Sequence, residues 1–157
     1  MHRVWDAELD EAETVAGLLV AFRNHMGRDW PSDNAFVASV ERLMERGEAQ
    51  FLLGALHDDA PPAAVAQVRY RFGIWWAALD CTLEDLFVLE PARGAGLGGA
   101  MVEAVIHRAF ERECRRIELD ADEDNAAAIA LYGRHGFRSG KGAPGHRQLF
   151  MRRHQEL

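Results

Sequence analysis

Glu90 to Met101 reads EPARGAGLGGAM and follows the apolar, β-leaning stretch CTLEDLFVLE, which ends at Glu90. Arg93, Gly94, Gly96, Gly98 and Gly99 fall within a few residues of one another. Glycines this dense at a helix start leave backbone N–H groups free to converge on an anion, and the helix adds the positive end of its dipole. The amides of Gly94, Ala95, Gly96, Leu97, Gly98 and Gly99 are the candidate donors, and Arg93 can add a charged fork. Two phosphate patterns fit. Arg93-x-x-Gly96-x-Gly98 is the pyrophosphate loop of a coenzyme A binder, and Gly94-x-Gly96-x-x-Gly99 is a dinucleotide fingerprint. A glycine turn built only for tight packing is the third possibility.

The dinucleotide pattern gains from Asp120, which lies near the end of the next apolar run at about the spacing of a ribose-binding acid. It loses on three counts. Leu89, Glu90, Pro91, Ala92 and Arg93 separate Val88 from the first glycine, whereas the fingerprint follows its strand at once. Such a unit usually opens its domain, and here a long segment precedes it. The remaining chain is also too short for a second half. No Gly-Lys-Ser/Thr follows the glycines, which excludes a Walker loop.

Working outward, Gly96 to Glu113 predicts a helix with Met101, Val102, Val105, Ile106, Ala109 and Phe110 as its stripe. RRIELDA predicts a strand, and Asn125 to His135 a short helix stopped by Gly136. On the N-terminal side, Glu8 to Met26 has helical spacing, and Asn34 to Arg46 makes a second helix capped by Ser32 or Asp33. AQFLLGALHD and AAVAQVRYRF are strands of an antiparallel hairpin around the turn DDAPP, and FGIWWAALD is an aromatic loop. KGAPGHR is a turn and QLFMRR a last strand. The expected fold is an α/β (α+β mixed) sheet, antiparallel in its N-terminal half with a central βαβ unit and flanking helices.

The chain has 157 residues, enough for one domain with its own core, and the expected domain spans all of it. A net charge of −7 leaves no basic bulk for a nucleic-acid backbone, so nucleic acid is not an expected partner. No apolar run approaches a membrane span, and no leader-like segment opens the chain, so no membrane association and a cytoplasmic location are expected. Cys81 and Cys114 match no metal spacing and read as reduced thiols, and the seven histidines show no metal pattern. Asp120, Asp122, Glu123 and Asp124 lack the glycine and glutamate spacing of a calcium loop and read as a solvated or amine-attracting rim, so no metal is expected.

Three segments, LEDLFVLEPARGAGLGGAMVEAVI, RRIELDADEDNAAAIALY and GRHGF, together resemble the acetyl-CoA-binding core of the GNAT superfamily of N-acetyltransferases. LEDLFV before the glycine loop, with Trp75 and Trp76 upstream, is similar to the diamine (spermidine/spermine) acetyltransferase branch. The resemblance implies a GNAT fold, acetyl-CoA as co-substrate and direct transfer to a primary amine of a small cationic molecule. It implies that the strand through Leu86, Phe87 and Val88 splays at a β-bulge to pair with pantetheine, and that a backbone N–H there polarises the thioester. It places Arg93 and the glycine loop on the pyrophosphate, and Asn125, Ala127 and Ala128 beside pantetheine. Many members of that fold are dimers, so a homodimer is an expectation.

An amine nucleophile must lose a proton before it attacks, and a carboxylate at strand height suits that task. Glu84 and Asp85 are neighbours, so strand alternation points them to opposite faces. The resemblance selects Glu84 as base or as amine anchor, which leaves Asp85 a structural role beside an arginine. Tyr132 is the expected acid for the departing thiolate and also a coenzyme contact. Neither cysteine sits in a nucleophile setting. Trp30, Trp75 and Trp76 are candidates to line an amine pocket by cation–π contact, and equally candidates for core or interface positions. A catalytically silent acyl-CoA-binding or sensing module, or an NAD-binding module, remain the alternatives.

Overall fold

The computed structural model describes residues 1–140 and 149–156. Five strands form one sheet in the order β1-β2-β3-β4-β5: β1 Arg3–Asp6, β2 Gln50–Ala55, β3 Ala64–Gly73, β4 Ala78–Val88 and β5 Arg116–Glu118. Neighbours are antiparallel except the last pair, where β5 runs parallel to β4. The helices are α1 Ala12–His25, α2 Asp33–Glu45, α3 Leu97–Glu111 and α4 Ala126–Arg134. The β4-α3-β5 crossover is the βαβ unit expected from the glycine loop, and the antiparallel half precedes it.

Each face of the sheet carries its own core. α1 and α2 pack on one face through Val15, Leu19 and Val40, against Phe51, Leu53, Val65 and Phe87. α3 packs on the other through Leu97, Met101 and Val105, against Leu52, Ala66, Val68 and Leu83. Covering both faces explains why β2 reads as an unbroken apolar run, because Phe51 and Leu53 enter one core and Leu52 the other. Burying a side chain such as Met101 in full stabilises by about 1.5–3 kcal/mol. Gly54 lets α3 settle on β2, since a Cβ there would stand 2.5 Å from the Met101 sulfur. Ser32 starts α2 as expected, its Oγ accepting from the Ala35 N–H at 3.2 Å.

The β3–β4 ladder is broken at one point. Gln67 pairs with Asp85 while the next β3 residue, Val68, pairs with Leu83, so Glu84 is an extra residue bulged out of β4. The bulge reverses the strand's alternation. Cys81 and Leu83 face the α3 core, and Leu86 packs against that core too, three residues further on. Phe87 therefore turns to the α1/α2 side, and Asp85 turns with it.

Four expectations are corrected. β1 lies in a stretch to which the sequence assigns no element; its four residues are too few for periodicity and are defined by pairing with β2, Arg3 opposite Ala55 through Asp6 opposite Leu52. The first helix accordingly begins at Ala12, after a single 3₁₀ turn at Leu9–Glu11. The aromatic loop is instead a tight turn, Ile74 to Ala77, joining long strands on both sides. The last strand is not formed over its described part: Leu149, Phe150 and Met151 are exposed and irregular, with no partner edge among the described residues. The expected turn KGAPGHR lies outside the described residues.

Candidate active site

β4 and β5 are paired only over Asp80–Arg116, Cys81–Ile117 and Thr82–Glu118. Beyond Thr82, the β5 side of β4 has no strand partner among the described residues, so Leu86, Phe87 and Val88 lie along an open edge. The strands thus form the two arms of a V. Its closed end is pinned by Arg116, whose Nη2 donates to Asp80 Oδ2 at 2.8 Å across the pair. The Asp80 side chain is only 5% exposed.

The glycine loop stands at the open end. Arg93 donates from Nε to the Val88 carbonyl at 2.8 Å and lies over the Phe87 ring, 5.4 Å from its centroid. One edge of its guanidinium is therefore used to hold the strand end. Gly94 and Gly96 sit at φ +78° and +86°, a left-handed backbone that disfavours any side chain. Gly96 is the N-cap of α3 and supplies no side-chain cap, so the first-turn amides of Leu97, Gly98 and Gly99 have no intrahelical acceptor. Ser32 and Asn125, by contrast, cap α2 and α4 with side-chain oxygens. An uncapped N-terminus behind two left-handed glycines fits a pyrophosphate. Gly98 and Gly99 have a second duty, because a Cβ on either would meet α4: Leu131 Cδ2 at 3.3 Å, or His135 Nε2 at 3.6 Å.

α4 forms the far wall. Tyr132 packs into the α3-side core and meets Phe137 edge-on at 5.9 Å. Burial pushes its hydroxyl pKa up, and the Asp120 and Asp85 carboxylates push it further. The phenol therefore stays protonated at neutral pH and can donate. Asn125 also has a structural duty. Its Oδ1 accepts from the Ala128 N–H at 3.1 Å as the cap of α4, which leaves only its amide N–H₂ for a ligand. Ala127 and Ala128 stand on the first turn beside it.

The two carboxylates of β4 exchange the places expected of them. Glu84, not Asp85, lies beside an arginine: its Oε1 is 3.8 Å from Arg69 Nε and its side chain is 42% exposed. Asp85 lines a cavity of about 220 Å³ under α1 and α2, with Gln67 next to it. Arg69 and Gln67 are two residues apart on β3 and so share a face. Both carboxylates thus lie on the α1/α2 side, and the bulge is why simple alternation fails. Burial raises the Asp85 pKa, and the negative charges of Glu84 and Asp120 raise it further. Asp85, Asp120 and Tyr132 therefore sense one another across the V, a grouping hidden in the sequence because the residues come from three elements.

The tryptophans separate. Trp30 stands at the mouth of the α1/α2 cavity. Trp75 and Trp76 sit at the β3–β4 turn, where Trp76 lies under the Arg116 guanidinium at 5.5 Å. That turn is at the other end of β4 from Asp85, and at roughly 3.3 Å per strand residue the distance is far beyond side-chain contact. Burial lifts the Cys81 thiol to about 12, so no thiolate nucleophile is available there.

An unpaired strand edge, an uncapped helix start behind left-handed glycines and a half-buried phenol on the opposing wall define a cleft suited to an acyl thioester. The same class emerges from comparison with known proteins. Residues 8–137 match the model of the acetyltransferase (GNAT) family, and the chain belongs to that family. A mycothiol acetyltransferase of Beutenbergia cavernae is 33% identical over 136 residues, 81% of this chain and 42% of that protein. The spermine/spermidine N(1)-acetyltransferase of Bacillus subtilis is 45% identical over 56 residues, 35% of this chain and 37% of that protein. The matched stretch thus covers less than half the length of each of these curated relatives. A solved structure from Arthrobacter sp. FB24 superposes with a TM-score of 0.85 at 23% identity, covering 98% of this chain and 96% of that one, which bears on the fold.

Proposed function

We propose that the protein transfers the acetyl group of acetyl-CoA directly to a primary amine of a small molecule. The observation that carries this reading is the open β4 edge lying between an uncapped α3 N-terminus and Tyr132. Acetyl-CoA would supply the thioester. The loop amides from Gly94 to Gly99, with Arg93, would hold its pyrophosphate, and the edge at Leu86, Phe87 and Val88, with the Asn125 amide and the α4 turn at Ala127 and Ala128, would hold its pantetheine. A backbone N–H of that edge would polarise the thioester carbonyl. Tyr132 donates its hydroxyl proton to the leaving sulfur. A β4 carboxylate receives the proton of the arriving ammonium; half-exposed Glu84 suits the outer part of that task, anchoring the amine as it enters.

The test is coenzyme A thiol release from acetyl-CoA over a broad amine panel. Turnover with at least one amine is expected. Tight acetyl-CoA binding without turnover by any amine would establish a silent acyl-CoA-binding module instead. Binding of NADH with indifference to coenzyme A would establish the dinucleotide reading.

A further inference from the structure

The cavity beneath α1 and α2 has a lining more selective than a generic cationic acceptor requires. Its walls are apolar: Leu19, Phe22, Phe36, Val40, Leu43 and Phe51 contribute to them. Phe22 is held rigidly, stacked on Phe87 at 4.9 Å with the rings 9° apart. At about 220 Å³ the space exceeds the roughly 150 Å³ cavity that accommodates benzene, so it takes one aromatic ring or a branched aliphatic body of similar bulk.

The charges are equally restrictive. Asp85 is the one acid among the described lining residues, and Arg23 and Arg28 are the other charged groups. Arg23 is fixed in the framework, donating from Nη1 to the Pro31 carbonyl at 2.6 Å and pairing with Asp33 at 2.8 Å. A diamine or polyamine placing one ammonium at Asp85 and the rest of its chain in the cavity would bring its second ammonium toward guanidinium, with no second carboxylate in the lining to receive it. Resting on the acetyl-transfer reading, we infer that the acceptor is a monoamine on an apolar body of about one ring, seated in this cavity with its nitrogen at Asp85, which takes the ammonium proton.

The step balances. The ammonium proton passes to the Asp85 carboxylate, the freed nitrogen lone pair forms the C–N bond, the C–S bond breaks, the leaving sulfur takes the Tyr132 proton, and the nitrogen gives up a second proton that restores the Tyr132 hydroxyl. One proton is released to solvent overall as Asp85 and Tyr132 return to their starting states. The buried setting that raises the Asp85 pKa favours this proton acceptance, and Glu84 lacks that enclosure.

The experiment measures thiol release and, separately, calorimetric binding, using phenethylamine and isoamylamine against putrescine and spermidine. The apolar monoamines should exceed the polycations in kcat/KM by roughly tenfold or more. Ala35→Phe, which puts a ring into the cavity from α2, should weaken phenethylamine binding by about tenfold or more and leave acetyl-CoA binding unchanged. Asp85→Asn should lower kcat/KM by on the order of 100-fold with acetyl-CoA affinity retained, and Glu84→Gln by much less. Turnover confined to polycations, or phenethylamine binding indifferent to Ala35→Phe, overturns the proposal, as does an Asp85→Asn enzyme of full activity. Phenethylamine that binds with no turnover of any amine leaves the cavity assignment standing and removes the acetyl-transfer reading, so the two fail separately.

Discussion

Arg116 donates to Asp80 at 2.8 Å across the only three rungs that join β4 to β5 among the described residues. Just beyond those rungs the strands part. The pair therefore acts at the vertex of the cleft, and its loss should widen the angle between the arm that carries Leu86 to Val88 and the arm that carries Asp120. Arg116→Met removes the donor and leaves the Asp80 carboxylate buried. We expect a stability loss of roughly 1–3 kcal/mol, measured by urea unfolding, together with a higher KM for acetyl-CoA. An unchanged KM would show that the vertex does not set the cleft.

Tyr132→Phe removes the hydroxyl and keeps the ring against Phe137. A general acid contributes on the order of 100-fold or more. We expect kcat to fall by about that factor while acetyl-CoA binding, followed by calorimetry, changes little. Because the Tyr132 pKa is raised, the alkaline fall in activity due to this group should lie above the ordinary tyrosine range, and the variant should lack it. An unaltered kcat would remove Tyr132 as the acid.

Asp85 gives a pH dependence whose sign is fixed by its environment. Its pKa in the folded state is raised by burial, then by the nearby negative charges. Above the unfolded-state value the folded form holds more protons than the unfolded one, so stability falls as pH rises from about 3.8 through the folded pKa. Above the folded pKa the ionised, enclosed carboxylate is a net cost. Asp85→Asn should therefore raise Tm at pH 7, by roughly 2–4 °C for each kcal/mol recovered, and the gain should shrink as the pH is lowered toward 4. A Tm that falls at neutral pH would show that the carboxylate is stabilised by contacts instead.

Gly96 and Gly98 should respond differently to alanine. Gly96 is left-handed at φ +86°, so Gly96→Ala strains the backbone by roughly 1–2 kcal/mol and should disturb the anion site directly. At Gly98 the added Cβ would stand 3.3 Å from Leu131, a contact between α3 and α4. Gly96→Ala is expected to raise the Kd for coenzyme A with little effect on acceptor KM. Gly98→Ala should also reduce kcat, because it shifts the helix that carries Tyr132. Equal effects on all three constants would mean that the two glycines share one role.

Much of the architecture was legible in the chain because its signals are local. The helical stripe from Met101 to Ala109, the Ser32 cap and the apolar runs of β2 and β3 each declare themselves within about a dozen residues. The glycine loop was legible for the same reason. What escaped was set by distant partners. β1 exists because β2 pairs with it. The expectation that Glu84 and Asp85 face opposite sides missed on a single physical ground: alternation along a strand holds only where the pairing is continuous, and a bulge shows in the pairing rather than in the letters.

That one surplus residue works as a phase inverter. Up to Leu83 the strand writes its apolar side chains into one layer, and after Glu84 the same spacing writes into the other. Deleting Glu84 would leave composition and hydropathy almost unchanged. It would also close the ladder, with Val68 still opposite Leu83 and Gln67 still opposite Asp85, so that Asp85 to Val88 keep their faces and Phe87 its stack on Phe22. A loss of a single codon here would thus straighten the strand and spare both cores, which makes this position the most tolerant of length change in the strand.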